Sequence, residues 1–226
     1  MKFNCLLIVP LLVTSLQAAS ETDLTFVLNN EGTQYSIADC NVAARGPLVI
    51  PNTYNNSPVT AIASSAFSLC SDLTSIIIPE GVTSIGDYAF NGCTELNSIT
   101  IPNTTISIGA NAFDSCSSLS SILIPDSVIY IGNSAFQACT ALFSITVGDG
   151  LASIGTSTFN NSNNLQSINV SNRNLSFSSV DGVLFNKSQD TLLTYPGGRN
   201  GDYSIPVGVT SIGERAFTSS FSLTSI

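Results

Sequence analysis

Hydrophobic residues recur along this chain at a constant spacing of 23 residues. The clearest copy of the pattern is the segment IGDYAFNGCTELNSITIP, which runs from Ile85 to Pro102. A fixed period in the twenties is typical of a solenoid, in which each repeat stacks on its neighbours. The matching positions are Ile62, Ile85, Ile108, Ile131 and Ile154; Phe67, Phe90, Phe113, Phe136 and Phe159; and Cys70, Cys93, Cys116 and Cys139, with a later copy that ends in Phe217.

Within each copy, the segment L-x-x-I-x-I alternates apolar and polar residues, as in Leu96 to Ile101. This period of two predicts a short strand whose isoleucines face the core, and the proline that often follows ends the strand. A glycine such as Gly86 then predicts a tight turn with positive φ. The following x-x-Ala-Phe segment predicts one helical or 3₁₀ turn that places its phenylalanine in the core. Stacked copies should therefore form columns of Phe67, Phe90, Phe113, Phe136, Phe159 and Phe217, and of Cys70, Cys93, Cys116 and Cys139.

The pattern divides the chain into five parts. Residues 1–19 have one early cation, a short apolar run and a small-residue end, which predicts a cleaved secretory signal peptide. Residues 20–58 predict a hairpin that caps the first coil, and residues 59–170 are the regular repeats. Residues 171–204 predict an irregular unit that contains a hairpin, and residues 205–226 resume the repeat. Because the last copy stops within a strand, we expect a truncated repeat with an apolar open end that could self-associate.

Charge limits the partners that the chain can bind. Six Lys and Arg residues stand against fifteen Asp and Glu residues, which gives a formal net charge of −9. An acidic chain lacks the basic surface that nucleic acid and anionic membranes require, so we expect neither partner. No apolar run after the signal peptide is long enough to cross a bilayer, so membrane insertion after cleavage is not expected either.

The repeats SIIIPEGVTSIGDYAFNGCTELNSITIP and ILIPDSVIYIGNSAFQACTALFSI resemble the BspA-type leucine-rich repeat (LRR) of bacterial and some protist surface proteins. The resemblance covers residues 35–226, including the hairpin unit. It departs from the family pattern at Ala63, Thr158 and Ser162, which stand where Gly, Ala and Cys are expected. It implies a leucine-rich-repeat solenoid of the α/β repeat class that is dominated by β-structure. It also implies a secreted or cell-surface binding scaffold, often called an adhesin, with no catalytic residues.

Catalytic and metal-binding chemistry finds little support in the sequence. The chain has no histidine, so Ser-His-Asp and Cys-His nucleophile pairs are excluded, and we expect no enzyme and no cofactor. The cysteine column could be a metal site or a chain of disulfides. Zinc ligands usually come in closely spaced pairs, however, and parallel Cβ vectors in adjacent coils do not suit a disulfide. A buried column of small side chains is the simpler interpretation. Cys40 could be a buried thiol in the cap or a reactive exposed one.

The outer face of the strands is the candidate ligand site. Repeat proteins commonly bind partners on such an extended surface. This face is uncharged, and Phe143 is its one candidate aromatic anchor. A protein or glycan ligand on a cell surface or matrix would suit it, whereas a row of Ser and Thr can also reflect simple tolerance of a crowded strand. The alternative function is a structural spacer without a ligand. The face comprises Ser75, Ile77, Ser98, Thr100, Ser121, Leu123, Phe143, Ser144, Thr146, Ser167 and Asn169.

Overall fold

The computed structural model describes residues 18–29 and 31–226, so the predicted signal peptide lies almost wholly outside the described residues. The described chain contains one 3₁₀ helix, Glu21–Asp23, and twenty strands. The strands are β1 (Leu24–Leu28), β2 (Tyr35–Cys40), β3 (Gly46–Val49), β4 (Thr53–Tyr54), β5 (Ser57–Ile62), β6 (Leu73–Ile77), β7 (Ser84–Ile85), β8 (Ser98–Thr100), β9 (Ser107–Ile108), β10 (Ser121–Ile124), β11 (Tyr130–Ile131), β12 (Ser144–Val147), β13 (Ser153–Ile154), β14 (Ser167–Val170), β15 (Phe177–Val180), β16 (Val183–Asn186), β17 (Thr191–Thr194), β18 (Gly201–Asp202), β19 (Ser211–Ile212) and β20 (Leu223–Ser225).

Two parallel ladders run along the length of the molecule. The longer strands form one side, in the order β3-β6-β8 followed by β10-β12-β14, and the two-residue strands β7, β9, β11 and β13 continue a second sheet that begins with β1, β2 and β5. Partner residues are 23 apart in the regular coils, as in Ile76 with Ile99 and Ile145 with Ile168. The predicted solenoid with a 23-residue repeat is confirmed.

The third side of each coil is a series of turns that carries the aromatic stack. Phe67, Phe90, Phe113 and Phe136 have no exposed surface, and consecutive ring centroids lie 5.0–5.2 Å apart. Phe159 continues the stack at 6.0 Å from Phe136. Burial of one such side chain contributes about 1.5–3 kcal/mol, so the stack is a main source of stability.

The predicted helical turn before each phenylalanine is wrong. These segments are turns with a left-handed residue two positions before the phenylalanine, as at Tyr88 (φ 58°), Asn111 (φ 54°) and Ser134 (φ 54°). Alternate N–H groups point along the stack, and those between them bond within the turn, as Asn91 N–H does to the Tyr88 carbonyl at 3.0 Å. Phe113 N–H, for example, donates to the Ala135 carbonyl of the next coil at 2.8 Å. Bonds between coils thus replace some of the bonds that a helix would make within itself.

The predicted role of the repeat glycines also needs correction. Gly86, Gly109, Gly132 and Gly155 do not have positive φ. A Cβ atom at Gly132 would instead lie 2.4 Å from the Ala110 nitrogen of the preceding coil. Glycine is needed here because the two backbones approach too closely for any side chain to fit between them.

The N-terminal unit pairs β1 and β2 as an antiparallel hairpin, and β2 joins β5 in parallel. The hairpin thereby covers the first edge of the short-strand sheet. A second, smaller hairpin joins β4 and β5 through Asn55 and Asn56, which both have positive φ, the geometry of a type I′ turn. Strand β3 was not predicted, and it belongs to the long-strand sheet in register with β6.

The irregular unit is a three-stranded meander, β15-β16-β17, and not only a hairpin. Its first turn, Asp181-Gly182, has positive φ at both residues. Strand β17 then pairs in parallel with β19 of the last coil. This part has its own hydrophobic cluster, built from Val183, Phe185, Leu192, Tyr195 and Ala216, apart from the core of the regular coils.

Within the part of the chain that the structure describes, no helix combines the length and apolar character that crossing a membrane requires.

Candidate binding face

The outer side chains of the long strands form three parallel rows. Successive side chains of a strand point to opposite faces, so the residues between the buried isoleucines must face outward. The strand pairings place equivalent residues side by side, as in Ile77 with Thr100 and Leu123 with Thr146. We call these rows the long-strand face. Its rows are Pro47, Ser75, Ser98, Ser121, Ser144 and Ser167; Val49, Ile77, Thr100, Leu123, Thr146 and Asn169; and Thr74, Asn97, Ser120, Phe143 and Gln166.

The long-strand face is uncharged and keeps large apolar side chains in solvent. Leu123 is 62 % exposed and Phe143 is 59 % exposed, and they belong to neighbouring coils. Their inward neighbours Ile122 and Ile145 are buried, so the alternation of the strand is respected. The serine row beside them is partly buried in β6, β12 and β14. The face therefore offers separate apolar side chains on a neutral hydroxyl surface.

The sequence interpretation missed Val49, which is 64 % exposed and lies beside Ile77. The signal was available, because Leu48, Ile50 and Pro51 repeat the I-x-I-P pattern that ends later strands, as in Ile76-Ile77-Ile78-Pro79. Because this stretch follows the predicted hairpin, it was included in the N-terminal cap of residues 20–58. Val49 and Ile77 extend the apolar part of the face to its N-terminal end.

The two ends of the long-strand face differ. At the N-terminal end a shallow depression of about 410 Å³ is lined by Arg45, Pro47, Asp72 and Glu95, among others. It brings charged side chains to this end of the face. At the other end the meander packs against β14, where Ile168 N–H donates to the Gly182 carbonyl at 2.8 Å. The face is therefore bordered by charge at one end and closed by a hairpin at the other.

The cysteine column is a hydrogen-bonded ladder. The thiols of Cys93, Cys116 and Cys139 donate to the carbonyls of Phe67, Phe90 and Phe113 of the preceding coils, at 3.1–3.2 Å. Ser162 replaces cysteine in the fifth coil, and its hydroxyl donates to the Phe136 carbonyl at 2.8 Å. The departure from the repeat at this position thus keeps the interaction.

These cysteines are buried free thiols. Burial raises the pKa of the Cys139 thiol to about 12, and burial likewise raises the pKa of Cys116. Cys40 is buried as well. The pKa of its thiol is raised mainly by a hydrogen bond with Cys70 and, to a smaller extent, by burial. Among the described residues, no group of three or more His, Cys, Asp or Glu side chains is arranged to hold a metal ion.

Replacement of Cys116 tests the ladder. Cys116→Ser should keep the bond to the Phe90 carbonyl and change the free energy of unfolding by less than about 1 kcal/mol. Cys116→Ala removes this bond and leaves the carbonyl with the Cys93 N–H alone, at 3.2 Å, so it should cost about 0.5–1.5 kcal/mol more than Cys116→Ser. Urea unfolding of the two variants measures the difference. Equal loss in both would contradict a hydrogen-bonding role and leave only packing.

Phe217 does not follow Phe159 directly in the aromatic column. Its ring lies 5.2 Å from that of Tyr195, and Tyr195 N–H donates to the Ala216 carbonyl just as Phe113 N–H donates to the Ala135 carbonyl. Tyr195 therefore takes the phenylalanine position of the irregular unit. The sequence pattern gave no equivalent position between Phe159 and Phe217, which are 58 residues apart, because the segment before Tyr195 lacks the usual Gly-x-x-Ala.

A second apolar patch lies on the short-strand side, which the sequence interpretation did not single out. Ile106 is 43 %, Ile129 50 % and Tyr130 43 % exposed, and these residues lie in adjacent coils. The patch is flanked by serines, as in Ser107 and Ser153 beside Tyr130. It is smaller than the long-strand face and provides a matched control for it.

Six Asn-x-Ser/Thr motifs occur in the sequence, at Asn55, Asn103, Asn160, Asn169, Asn174 and Asn186. Asn174 is fully buried, and its amide donates to the Gly148 and Leu151 carbonyls. Its side-chain oxygen accepts from Ser176 and Phe177 N–H. Asn174 therefore fixes the start of the meander, and its side chain is inaccessible for modification in the folded protein.

Parallel strands in a 23-residue coil, a buried leucine and isoleucine core, and an exposed strand face together define a leucine-rich-repeat protein. The chain belongs to the BspA-type leucine-rich repeat family, whose profile matches residues 60–190 in six copies. No curated protein matches the chain.

Solved structures share the fold. A leucine-rich-repeat protein of T. pallidum is 23 % identical, with a TM-score of 0.64, over 87 % of this chain and 82 % of that one. The pneumococcal vaccine antigen PcpA is 25 % identical, with a TM-score of 0.63, over 89 % of this chain and 62 % of its own. A leucine-rich-repeat protein of Bacteroides ovatus is 22 % identical, with a TM-score of 0.57, over 90 % and 63 %.

Proposed function

We propose that this protein is a secreted or cell-surface binding protein that contacts other proteins or neutral glycans through its long-strand face. The observation that carries the proposal is the row of exposed apolar side chains on an uncharged, ordered surface, with Val49, Ile77, Leu123 and Phe143 about half exposed or more. Single exposed apolar residues are ordinary, but several on the same side of stacked coils give a repeat surface a set of spaced anchors of the kind used for recognition.

The family and the predicted signal peptide support a location outside the cell. The structural neighbour PcpA is described as a vaccine antigen, which is consistent with exposure at a surface. Extracellular solvent also suits a chain that takes its surface polarity mainly from Ser, Thr and Asn, with only 9 % charged residues. We infer a role in interaction or adhesion without catalysis.

Removal of the two most prominent anchors tests the proposal. The double variant Leu123→Ser/Phe143→Ala should lose at least tenfold in affinity, because buried apolar anchors dominate most interfaces. The measurement is binding of the labelled protein to immobilised extracellular matrix proteins and neutral glycans. The control is Ile129→Ser/Tyr130→Ala, which removes a similar apolar pair from the short-strand side.

The same assay separates a binding protein from a spacer. Deletion of one 23-residue coil, residues 98–120, should preserve the stack but change the spacing of the anchors on either side. A spacer would show no specific binding at all and would keep its biological role after this deletion. Binding that survives the face variant but is lost in the control variant would place the ligand on the short-strand side and overturn the proposal.

Self-association through the last coil stays a prediction. Val207 and Phe221 of that coil are exposed.

A further inference from the structure

The stack is interrupted between the fifth regular coil and the irregular unit. In every regular coil the phenylalanine comes five residues after the short-strand isoleucine, as Phe159 comes after Ile154. In the irregular unit Leu192 takes the place of that isoleucine and Tyr195 the place of the phenylalanine, and they are only three residues apart. The irregular unit is thus two residues too short on this side. Strand β13 ends the short-strand sheet and does not pair with β17. The missing residues leave a cavity of about 150 Å³ between the two coils.

Two backbone donors are left without acceptors at this cavity. In the regular coils, the N–H groups two residues before the phenylalanine and of the phenylalanine itself donate to the next coil. Asn111 donates to the Asn133 carbonyl at 2.9 Å and Phe113 to the Ala135 carbonyl at 2.8 Å. The equivalent N–H groups of Ser157 and Phe159 have no acceptor among the described residues, and both residues line the cavity. Phe159 is buried and Ser157 half-buried, and unpaired donors out of contact with water are rare and costly.

The backbone around these donors is a turn. Ser157 (φ 58°) and, four residues later, Asn161 (φ 61°) are left-handed, and successive N–H groups in such a turn can form a concave site for an anion. Asn161 N–H is already taken by the Ser219 hydroxyl at 2.8 Å. The two remaining donors are available to carboxylate oxygens, in place of the two carbonyls that a full-length coil would supply.

A cation stands at the edge of the same cavity. Arg215 lines it and reaches across from the last coil to donate to the Ser157 hydroxyl at 2.9 Å. Its weak pairing with Glu214, at 3.8 Å between largely exposed side chains, leaves most of its donors available. A guanidinium beside two N–H donors favours a carboxylate over a neutral ligand.

The remaining walls are mixed. Ile154, Phe159, Leu193 and Tyr195 supply apolar surface, and the Thr158 hydroxyl is turned away to the Gly155 carbonyl at 2.6 Å. Polar side chains and the Glu214 carboxylate, which is weakly paired with Arg215, line the rest. The apolar part of the wall has room for a short aliphatic chain beside an acid group. A cavity of this volume exceeds what one water needs but excludes a long chain.

We propose that the cleft between the fifth coil and the irregular unit binds a short-chain aliphatic carboxylate. The acid group is held by the Ser157 and Phe159 N–H groups with Arg215 at the entrance. The free acid and the C-terminal carboxylate of an extended peptide present this same chemistry. The cleft lies on the turn side of the solenoid and is independent of the long-strand face.

Titration of the ¹⁵N-labelled protein with sodium butyrate, followed by NMR, tests this site. The amide signals of Ser157 and Phe159 should shift saturably, with a Kd on the order of 1 mM, which corresponds to about −4 kcal/mol. Equal concentrations of sodium chloride and of butyramide, the neutral analogue, should shift neither signal. The amides of Asn111 and Phe113 serve as internal controls, because their acceptors are present. A short peptide ending in valine, as free acid and as amide, distinguishes the two sources of the carboxylate.

Arg215→Gln should raise the Kd for butyrate about tenfold, whereas Arg173→Gln, which removes an exposed cation paired with Asp149, should not. The spectrum of each variant shows whether it is folded. If Arg215→Gln unfolds the last coil, the comparison of butyrate with butyramide on the unaltered protein still shows whether the cleft binds a carboxylate. Absence of saturable shifts at Ser157 and Phe159, or equal shifts with butyramide, would overturn the proposal and identify a water-filled gap.

Discussion

Phe113→Ala should lower the free energy of unfolding by about 3–5 kcal/mol, the range for a buried phenylalanine reduced to alanine. The Phe113 ring has no exposed surface and lies between Phe90 at 5.1 Å and Phe136 at 5.2 Å. Removal of the ring opens a cavity in the middle of the stack and ends both aromatic contacts. Coils held by two parallel ladders and by the bonds between successive turns have little room to collapse into that cavity, so the upper part of the range is expected.

Chemical denaturation of the unaltered protein and the variant measures this loss. Phe143→Ala is the matched control, because it removes the same ring from an exposed site on a neighbouring coil. The control should change stability by less than about 1 kcal/mol. A repeat protein can unfold in stages, so the midpoint should be followed by both circular dichroism and tyrosine fluorescence. An unchanged midpoint for Phe113→Ala would mean that the aromatic stack does not support the fold.

Gly132→Ala should destabilise the protein by about 3 kcal/mol, the high end for overpacking. The added Cβ would meet the Ala110 nitrogen at 2.4 Å and the Gly109 carbonyl carbon at 2.6 Å. Both are backbone atoms of the neighbouring coil, which cannot rotate away as a flexible side chain could. The two coils must separate locally, which weakens the bond from Gly132 N–H to the Ile108 carbonyl at 2.9 Å.

Gly213→Ala is the control for this prediction. It holds the same place in the last coil, but its nearest atom is the Leu192 carbonyl oxygen at 3.1 Å, beside the shortened irregular unit. Its cost should be clearly smaller than that of Gly132→Ala, as measured by denaturant unfolding. Similar losses in both variants would favour a conformational requirement for glycine over the close approach of two coils.

The periodicity of the sequence was sufficient for the architecture. Residues that recur every 23 positions must become neighbours once the chain coils, so the parallel pairing of Ile85 with Ile108 follows from spacing alone. The inward isoleucines and outward serines of the long strands follow from the alternation of the pleat. The outer positions of the candidate face could therefore be named without coordinates.

The turn side could not be predicted in the same way. Left-handed backbone at Tyr88 and Ser134 has no sequence signal, because neither residue is a glycine or asparagine. These conformations cost about 1–2 kcal/mol each for an ordinary residue, and the bonds to the next coil compensate for them. They depend on contacts 22 residues away and not on local propensity. The glycine that the sequence marked as a turn residue was required for the approach of two coils.

The irregular unit was the second limit of sequence reasoning. Tyr195 takes the place of a phenylalanine without the motif that identifies one, and the cavity beside it arises from two residues that are absent. A missing pair of residues becomes visible only when the strand register aligns Leu192 with Ile212. Val49 was missed for a simpler reason, because its strand was read as part of the cap.

The central claim is that ligands meet the long-strand face, and site-specific crosslinking tests it most directly. A photo-activated amino acid is placed at Leu123 in one protein and at Ile129 in another, positions of similar exposure on opposite sides of the same coils. Each protein is incubated with the immobilised matrix proteins and glycans and then irradiated. The account predicts adducts from position 123 and few from position 129. Adducts mainly from position 129, or equal amounts from both, would contradict it.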